Sequence, residues 1–372
     1  MTQYTDLDPS ARTLLGAGPS MVSPRVLRAL AHPLVGHLDP QFIELMNEVQ
    51  ELLRFVFQTG NRLTIPVSGT GSAAMEAALC NFIEPGDSVL IGVNGYFGER
   101  LCDMASRYGG QVRRIERPWG DVFSVEDIEK ALRDKPAKIV ALVHAETSTG
   151  ACQPMEDMAD VVHRYGGLLV MDCVTSLGGM PVTVDAWGVD VAYSGSQKCL
   201  SCPPGLGPLT VSPRAVDVLR RRKTQVPNWY LDLTMIEKYW GSQRTYHHTA
   251  PISMNYALRE ALRIVHEEGL ERRFARHRAN AELLWEGLES LGLELRAPLP
   301  RRLPMLTTVM IPDGVDGTAV QRRLLDEVNV EIAGGLGALK GKIWRVGLMG
   351  YSSRRENVLL LLAALERLLE AA

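Results

Sequence analysis

Val189-Asp-Val-Ala-Tyr-Ser-Gly-Ser-Gln-Lys198 is the stretch of the 372-residue chain that decides its fold class. The residues from Val189 to Tyr193 predict a short strand, and the small polar residues that follow predict a turn that presents Lys198. Upstream, Leu168-Leu-Val-Met-Asp172 predicts another strand, which ends on a lone carboxylate. Open α/β folds build their sites at the carboxyl ends of such strands. The two runs therefore place an amine and a carboxylate where a site is expected.

Lysine and aspartate in these positions suit one kind of cofactor chemistry. A carbonyl cofactor needs a lysine for its Schiff base, and pyridoxal 5′-phosphate also needs an acid against its pyridinium nitrogen. Taken singly, Lys198 reads as a surface lysine and Asp172 as a turn residue. The pair, with its flanking strands, instead predicts a pyridoxal phosphate site.

Strand and helix patterns alternate through most of the chain. Seven apolar runs predict strands: 63–67, 88–93, 111–115, 138–144, 168–171, 189–193 and 209–212. Helical spans between them favour an α/β fold with a mostly parallel seven-stranded sheet and helices on both faces. A long helical pattern from about Ile252 to Leu291 follows, and then a smaller α+β pattern that includes a strand at 293–296. We predict an N-terminal arm (residues 1–14), a large domain (15–268) and a small C-terminal domain (269–372).

A small-residue loop, Ser68-Gly-Thr-Gly-Ser72, separates the first of these strands from an alanine-rich helix. Free backbone amides at the start of a helix suit a phosphate. The loop lacks the Gly-Lys-Ser/Thr of a nucleotide P-loop. An ordinary helix cap is the other interpretation, and the loop by itself leaves both open.

Composition excludes several classes of partner. The net charge of -3 gives no general attraction to nucleic acid or to an anionic membrane. No apolar run reaches the roughly 20 residues that a membrane helix needs. The first residues lack a charged, apolar secretion signal, and the last four, Leu369-Glu-Ala-Ala372, are not a peroxisomal signal. We expect a cytoplasmic protein.

Six cysteines in a chain of this length predict free thiols and no disulfide framework. Cys199-Leu-Ser-Cys202 is formally a CxxC pair, but no second pair or spaced histidines complete a metal site. We expect no metal, and packing beside Lys198 is the preferred role of the pair. The sequence leaves a redox role open.

Short motifs lie in order between residues 15 and 350: Leu15-Gly-Ala-Gly-Pro-Ser20, Val56-Phe-Gln-Thr59, Ser68-Gly-Thr-Gly-Ser72, Glu84-Pro-Gly-Asp87, Asn94-Gly-Tyr-Phe-Gly98, Glu146-Thr-Ser-Thr-Gly150, Tyr193 to Lys198, Pro203-Pro-Gly205, Tyr246-His-His-Thr249, Gly334-Gly-Leu-Gly337 and Arg345-Val-Gly-Leu348. With them the chain resembles the alanine–glyoxylate and serine–pyruvate aminotransferases. These are pyridoxal phosphate enzymes of fold type I and aminotransferase class V. The resemblance covers nearly the whole chain.

The resemblance implies a role for each residue around the cofactor ring. Lys198 would hold the cofactor covalently and move a proton between the substrate Cα and C4′. Asp172 would stabilise the protonated ring nitrogen. Phe97 would stack on the ring, where many members carry tryptophan. Thr147 would lie near the 3′ oxygen and Val174 on the other ring face.

The resemblance also implies how the phosphate and the substrate are bound. Phosphate contacts would come from Thr70, Gly71, Ser72 and Gln197, joined by Tyr246 and Thr249 from the other subunit of a homodimer. Many members carry histidine at the position of Ser72. Arg345 would bind the substrate carboxylate with its planar guanidinium. Without the resemblance, these residues read as capping, loop or exposed strand residues.

The implied reaction is transfer of an amino group from alanine or serine to glyoxylate or pyruvate, by a ping-pong mechanism. Ureidoglycine or pyridoxamine transamination differs in few pocket residues, although Tyr246-His-His-Thr249 fits the alanine–glyoxylate type better. A cysteine desulfurase needs a nucleophilic cysteine well downstream, and the last cysteine is Cys202. A non-catalytic cofactor-binding regulator would need a DNA-binding segment, for which the short N-terminus leaves no room.

Overall fold

The computed structural model describes residues 5–370, so residues 1–4 of the predicted arm and 371–372 of the predicted small domain lie outside it. Its α-helices are α1 (Pro24–Leu30), α2 (Pro40–Phe57), α3 (Gly71–Cys80), α4 (Tyr96–Arg107), α5 (Val125–Asp134), α6 (Met158–Arg164), α7 (Pro213–Arg220), α8 (Leu233–Trp240), α9 (Ile252–Glu268), α10 (Leu270–Ser290), α11 (Gly317–Val328) and α12 (Arg355–Glu370). Its strands are β1 (Thr13–Leu14), β2 (Leu63–Ser68), β3 (Ser88–Val93), β4 (Gln111–Glu116), β5 (Ile139–Val143), β6 (Ala145–Glu146), β7 (Ala151–Cys152), β8 (Leu168–Asp172), β9 (Val191–Tyr193), β10 (Leu206–Val211), β11 (Leu306–Met310), β12 (Val330–Glu331), β13 (Ala333–Gly334) and β14 (Ile343–Gly347).

A seven-stranded sheet organises the larger part of the chain, in the order β2-β10-β9-β8-β5-β3-β4. Strand β10 runs antiparallel to both of its neighbours, and the other pairings are parallel. The predicted α/β fold with a mostly parallel seven-stranded sheet is therefore confirmed. The register places Asp172 of β8 directly opposite Tyr193 of β9 and Val143 of β5.

Both faces of this sheet are covered, which explains why its central strands read as continuous apolar runs. Along β5, Ile139, Ala141 and Val143 belong to one hydrophobic cluster. The alternate residues Val140 and Leu142 belong to a second cluster on the opposite face. Because side chains alternate across a strand, each strand contributes to both clusters. Helices α3 and α4 pack in the first cluster, and α5, α6 and α9 pack in the second.

The C-terminal part forms its own three-stranded antiparallel sheet, in the order β11-β14-β13. A separate hydrophobic cluster that includes Trp285, Leu324, Trp344 and Leu361 joins this sheet to α10, α11 and α12. The chain enters this region twice, because β1 pairs in parallel with β12 and Leu15 packs in the same cluster. The predicted boundary at residue 269 stays a prediction.

Three local predictions were wrong or incomplete. The long helix expected over 252–291 is divided at Gly269, whose φ of 77° lies outside the helical region and separates α9 from α10. The strand expected at 293–296 contributes only an isolated bridge from Leu295 to Val309. Segment 225–249, for which no helix or strand is predicted above, contains α8.

None of the helices among residues 5–370 combines the length and the apolar character that crossing a membrane requires.

Candidate active site

A cavity of about 150 Å³ lies at the carboxyl ends of the central strands, where open α/β folds place their sites. It brings together nine of the predicted site residues: Thr70, Gly71, Ser72, Phe97, Thr147, Asp172, Val174, Gln197 and Lys198. Met75, Arg100, Val143 and Ala145 complete its lining. The residues come from the carboxyl ends of β2, β3, β5, β8 and β9 and from the loops and helix starts that follow these strands. The parallel sheet therefore gathers side chains that are more than 100 residues apart in sequence.

Lys198 lies on the loop that follows β9, and its backbone is held from several sides. The Ser20 hydroxyl donates to the Lys198 carbonyl at 2.8 Å, and the Ser196 hydroxyl donates to the Pro203 carbonyl at 2.7 Å. The Nζ of Lys198 itself donates a hydrogen bond to the carbonyl of Ala17. Gly18 must be glycine here, since its φ is 99° and a Cβ would lie 2.7 Å from Lys198 Nζ.

The amine of Lys198 is less basic than an ordinary lysine. Burial, and then the positive charge of Arg345, lower the pKa of Lys198 to about 8. A lower pKa leaves more of the amine unprotonated near neutral pH, and the unprotonated amine is the nucleophile toward a carbonyl carbon. The site thus favours the form of Lys198 that can react with an aldehyde.

Asp172 ends β8 and is buried at the floor of the cavity. Its Oδ1 accepts a hydrogen bond from the Val174 amide at 2.9 Å, and its Oδ2 accepts one from the Tyr193 hydroxyl at 2.9 Å. Burial raises the pKa of Asp172 to about 6, against the opposing effect of these two hydrogen bonds. Tyr193, for which no separate role is predicted from the sequence, therefore supports the ionised form of Asp172.

Thr70, Gly71 and Ser72, from the end of the loop after β2 and the first turn of α3, also line the cavity. Helix α3 begins at Gly71, and its N-cap residue Thr70 makes no side-chain capping bond. The first amides of α3 thus keep their hydrogen-bonding capacity, and the helix dipole adds partial positive charge. Gln197 Oε1 is buried nearby without a hydrogen-bond partner. Because that oxygen is an acceptor, a phosphate cannot satisfy it; the donors suited to a phosphate here are the free amides of α3 and the Nε2 amide of Gln197.

Arg345 lies on β14, outside the residues that line the cavity but close to them. It is 7% exposed. Its Nε donates to the Gly334 carbonyl at 2.7 Å, and its Nη1 approaches the Thr147 carbonyl at 3.4 Å. The second contact links the small sheet to the cavity wall. Among the described residues no carboxylate forms a salt bridge with Arg345, which leaves guanidinium donors for an anion.

Tyr246 and Thr249 do not reach the cavity of their own chain. Tyr246 is 54% exposed, and its hydroxyl lies 3.3 Å from that of Thr249. Between them, His248 forms a hydrogen bond with the last residue of β2: its Nε2 lies 2.8 Å from Ser68 Oγ. A role for these two residues in the site of another subunit stays a prediction.

Glu146 is a buried site residue whose role the sequence did not predict. Its carboxylate accepts hydrogen bonds from the Phe97 amide at 3.2 Å, the Ser148 amide at 3.0 Å and the Ser148 hydroxyl at 2.6 Å. Burial is the main cause that raises the pKa of Glu146 to about 7. The carboxyl fixes the start of α4, which carries Phe97, to the turn that carries Thr147. A carboxylate directly before the predicted residue Thr147 was the available signal.

Arg100 is the second residue that the sequence analysis missed. Its guanidinium carbon lies 4.8 Å from the centroid of the Phe97 ring, and its Nη1 donates to Ser72 Oγ at 3.3 Å. Its spacing from Phe97 was the available signal, because helical residues three apart share a face.

The cysteines lack the features of reactive thiols. Cys199 and Cys202 are buried, and burial raises the pKa of Cys199 to about 12 and that of Cys202 further still. A thiol in this state is not a nucleophile near neutral pH. Residues 5–370 contain no cluster of three or more side chains suited to a metal ion.

Comparison with known proteins agrees with this geometry. The family model described as aminotransferase class-V matches residues 14–358. The chain belongs to the class V aminotransferases, in the family of the alanine–glyoxylate aminotransferases. Enzymes of this class depend on pyridoxal 5′-phosphate, and that is the cofactor of this protein.

Three relatives show how far the similarity extends. The chain is 44% identical to the (S)-ureidoglycine–glyoxylate transaminase of Bacillus subtilis (strain 168), over 99% of this chain and 93% of the relative. It is 41% identical to the alanine–glyoxylate aminotransferase of Rattus norvegicus, over 93% of this chain and 84% of the relative. The solved structure of an alanine–glyoxylate aminotransferase from Nostoc sp. superposes with a TM-score of 0.98 at 59% identity, covering 99% of this chain and 98% of that one.

The cavity lining fits the cofactor of the class. Lys198 supplies a buried amine, Asp172 a buried carboxylate, and the start of α3 supplies uncapped amides beside the side-chain amide of Gln197. An aldehyde, a protonated pyridine nitrogen and a phosphate need these three kinds of partner.

Proposed function

We propose that the protein transfers the amino group of a small amino acid, alanine or serine, to glyoxylate or pyruvate by a ping-pong mechanism. The observation that carries this proposal is Arg345. A buried guanidinium without a carboxylate partner among residues 5–370, one hydrogen bond away from Thr147 in the cavity wall, suits the carboxylate of an amino or keto acid. Both substrates of a transamination carry that group, so one arginine serves both half-reactions.

Lys198 and Asp172 divide the proton chemistry between them in this proposal. When bound, the cofactor supplies an electron sink for the negative charge that develops at the substrate Cα. Lys198 Nζ would hold the cofactor covalently and would take and return the proton at the substrate Cα. Asp172 would keep the proton on the ring nitrogen, and its own two hydrogen bonds hold the carboxylate in place.

The remaining lining residues orient the cofactor and exclude water. We assign Phe97 and Val174 to opposite faces of the ring and Thr147 to the 3′ oxygen. Thr70, Gly71, Ser72 and Gln197 take the phosphate. The hydroxyls of Tyr246 and Thr249 complete the phosphate site of a partner subunit in a homodimer, which is consistent with their exposure on their own chain.

(S)-Ureidoglycine is the second candidate donor. A relative with 44% identity over nearly the whole chain carries that activity in its name. Glyoxylate is named for both kinds of relative, so the two candidate functions differ in the amino donor and share the reaction type.

A donor panel tests the proposal. Purified enzyme with added pyridoxal phosphate is assayed with L-alanine, L-serine and (S)-ureidoglycine against glyoxylate and against pyruvate, with Lys198→Ala as the inactive control. We expect the highest kcat/KM for L-alanine or L-serine with glyoxylate or pyruvate. A kcat/KM for (S)-ureidoglycine on the order of a hundred times higher would transfer the assignment to that donor. Activity in the control would contradict the role of Lys198.

A further inference from the structure

Arg100 is a half-buried cation in the wall of the cavity to which neither the sequence nor the proposed reaction gives a role. It lies on α4, one helical turn after Phe97. Its guanidinium packs over the rings of Phe97 and Tyr96, at 4.8 and 5.4 Å from the two centroids. Among residues 5–370 its side chain has no salt-bridge partner, and its polar contact is with the hydroxyl of Ser72. Among residues 5–370, therefore, no carboxylate is in direct contact with Arg100 to neutralise its charge.

The phosphate end of the cavity needs a positive charge that the other assigned residues do not supply. A phosphate monoester carries about 1.5 to 2 negative charges near neutral pH. Thr70, Gly71, Ser72 and Gln197 are all neutral, so only the partial charge of the α3 dipole opposes it.

The other ionisable groups of the lining are committed elsewhere. The lining contains three ionisable side chains, Arg100, Asp172 and Lys198. Lys198 is the covalent anchor, and Asp172 carries the wrong sign for a phosphate. Arg100 is the cation that remains.

The contact with Ser72 locates Arg100 at the phosphate end. Ser72 lies in the first turn of α3, among the amides proposed for the phosphate. Arg345, in contrast, contacts the cavity wall at Thr147, on the turn after β6. The two arginines thus approach by different elements, and the substrate carboxylate is assigned to Arg345.

We propose that Arg100 binds the phosphate of the cofactor directly, together with Ser72 and the N-terminal amides of α3. Its guanidinium carbon lies 4.8 Å from the centroid of the Phe97 ring, so one helix presents both the aromatic ring and the charge. The inference rests on the cofactor being bound in this cavity and is independent of which amino acid is the donor.

Binding measurements with two forms of the cofactor test the proposal. Apoenzyme is titrated with pyridoxal phosphate and with pyridoxal, which lacks the phosphate, and binding is followed by absorbance and by tryptophan fluorescence. For Arg100→Gln we expect the Kd of pyridoxal phosphate to rise on the order of 10- to 100-fold and that of pyridoxal to change by less than about threefold. Arg100→Lys keeps the charge without the planar fork and should fall between wild type and Arg100→Gln.

Arg107→Gln is the matched control, because Arg107 lies on the same helix but is 72% exposed and pairs with Asp103. It should leave both affinities unchanged. Inorganic phosphate added with pyridoxal gives a second readout: it should strengthen pyridoxal binding in the wild type and not in Arg100→Gln.

Equal weakening of both ligands in Arg100→Gln, with an unchanged circular dichroism spectrum, would overturn the proposal, since Arg100 would then only support Phe97. Unchanged affinity for pyridoxal phosphate would overturn it as well. If Arg100→Gln does not fold, Arg100→Lys decides by the same ratio of affinities. A transaminase with another donor would leave these outcomes unaffected, so failure here is distinguishable from failure of the proposed function.

Discussion

Removal of the Tyr193 hydroxyl tests how Asp172 is kept ionised. That hydroxyl donates to Asp172 Oδ2 and opposes the effect of burial, which raises the pKa of that carboxyl to about 6. In Tyr193→Phe the pKa of Asp172 should rise further, so the protonated, inactive carboxyl persists to higher pH. We expect the acidic limb of the kcat/KM profile to move upward, with a larger loss near pH 6 than near pH 8. An equal loss at every pH would show that Tyr193 acts only by packing.

Arg345 allows a second prediction at this scale. In Arg345→Ala the substrate carboxylate loses a charge-assisted contact in a buried site, at a cost of about 2–4 kcal/mol. The kcat/KM should fall by roughly 30- to 900-fold for the amino donor and for the keto acceptor alike. Steady-state kinetics with each substrate varied in turn measures both values. A loss confined to one substrate would show that Arg345 is not the shared anchor.

Residue types at strand ends made much of the site predictable. Lys198 and Asp172 follow apolar strands, and a parallel sheet brings such residues to one edge whatever their separation in sequence. Arg100 and Glu146 escaped prediction for a physical reason. Their contributions depend on which side chains they meet after folding, Ser72 and Phe97 for Arg100 and the Phe97 amide for Glu146. The helical spacing places Arg100 on the face of Phe97 but contains no record of Ser72, and the turn of Glu146 contains no record of the Phe97 amide.

Helix α4 determines the position of both Phe97 and Arg100, and Gly98 determines how closely α4 packs on the sheet. A Cβ at Gly98 would lie 2.7 Å from the Gly92 carbonyl oxygen and 3.0 Å from Val93 Cα. Backbone atoms of β3 cannot move aside without disturbing the sheet. Gly98→Ala should therefore destabilise the fold by about 1–3 kcal/mol. It should also weaken binding of pyridoxal phosphate, because Phe97 and Arg100 shift with the helix.

Urea denaturation of the apoenzyme and cofactor titration measure the two effects. Ser106→Ala, an exposed position on the same helix, is the control and should be neutral in both. Unchanged stability in Gly98→Ala would show that α4 can withdraw from β3 without cost.

The sequence predicted whole elements best where burial is continuous. Strands β5, β8 and β9 are entirely buried and were all predicted, because burial on both faces demands an uninterrupted apolar run. The break between α9 and α10 was missed, since a single glycine in an amphipathic pattern is compatible with a continuous helix. The φ of 77° at Gly269 accompanies the change of direction from α9 to α10, and tertiary packing determines that direction.

For the whole molecule we predict a homodimer in which each active site contains residues of both subunits. Lys198→Ala supplies one inactive parent, and a double variant of Tyr246→Ala with Thr249→Ala supplies the other, once its own loss of activity is established. If Tyr246 and Thr249 act in the partner's site, a mixed dimer has one site with every defect and one site with none. Re-assembly of the two parents should then restore activity to about half the wild-type value per mixed dimer.

Each parent re-assembled alone serves as the control and should remain inactive. Mixed dimers confirmed by native mass spectrometry but without rescue would place Tyr246 and Thr249 outside the shared site.

Ping-pong transamination requires that the enzyme take the amino group from a small amino acid and pass it to a keto acid in two separate steps. The most direct measurement mixes the enzyme–cofactor complex with L-alanine in the absence of any acceptor and quantifies pyruvate and the absorbance of the bound cofactor. We expect about one pyruvate per active site, together with loss of the initial absorbance band of the cofactor. Addition of glyoxylate should then restore that band and release glycine. Absence of pyruvate with L-alanine, and of the corresponding keto acid with L-serine, would contradict this mechanism.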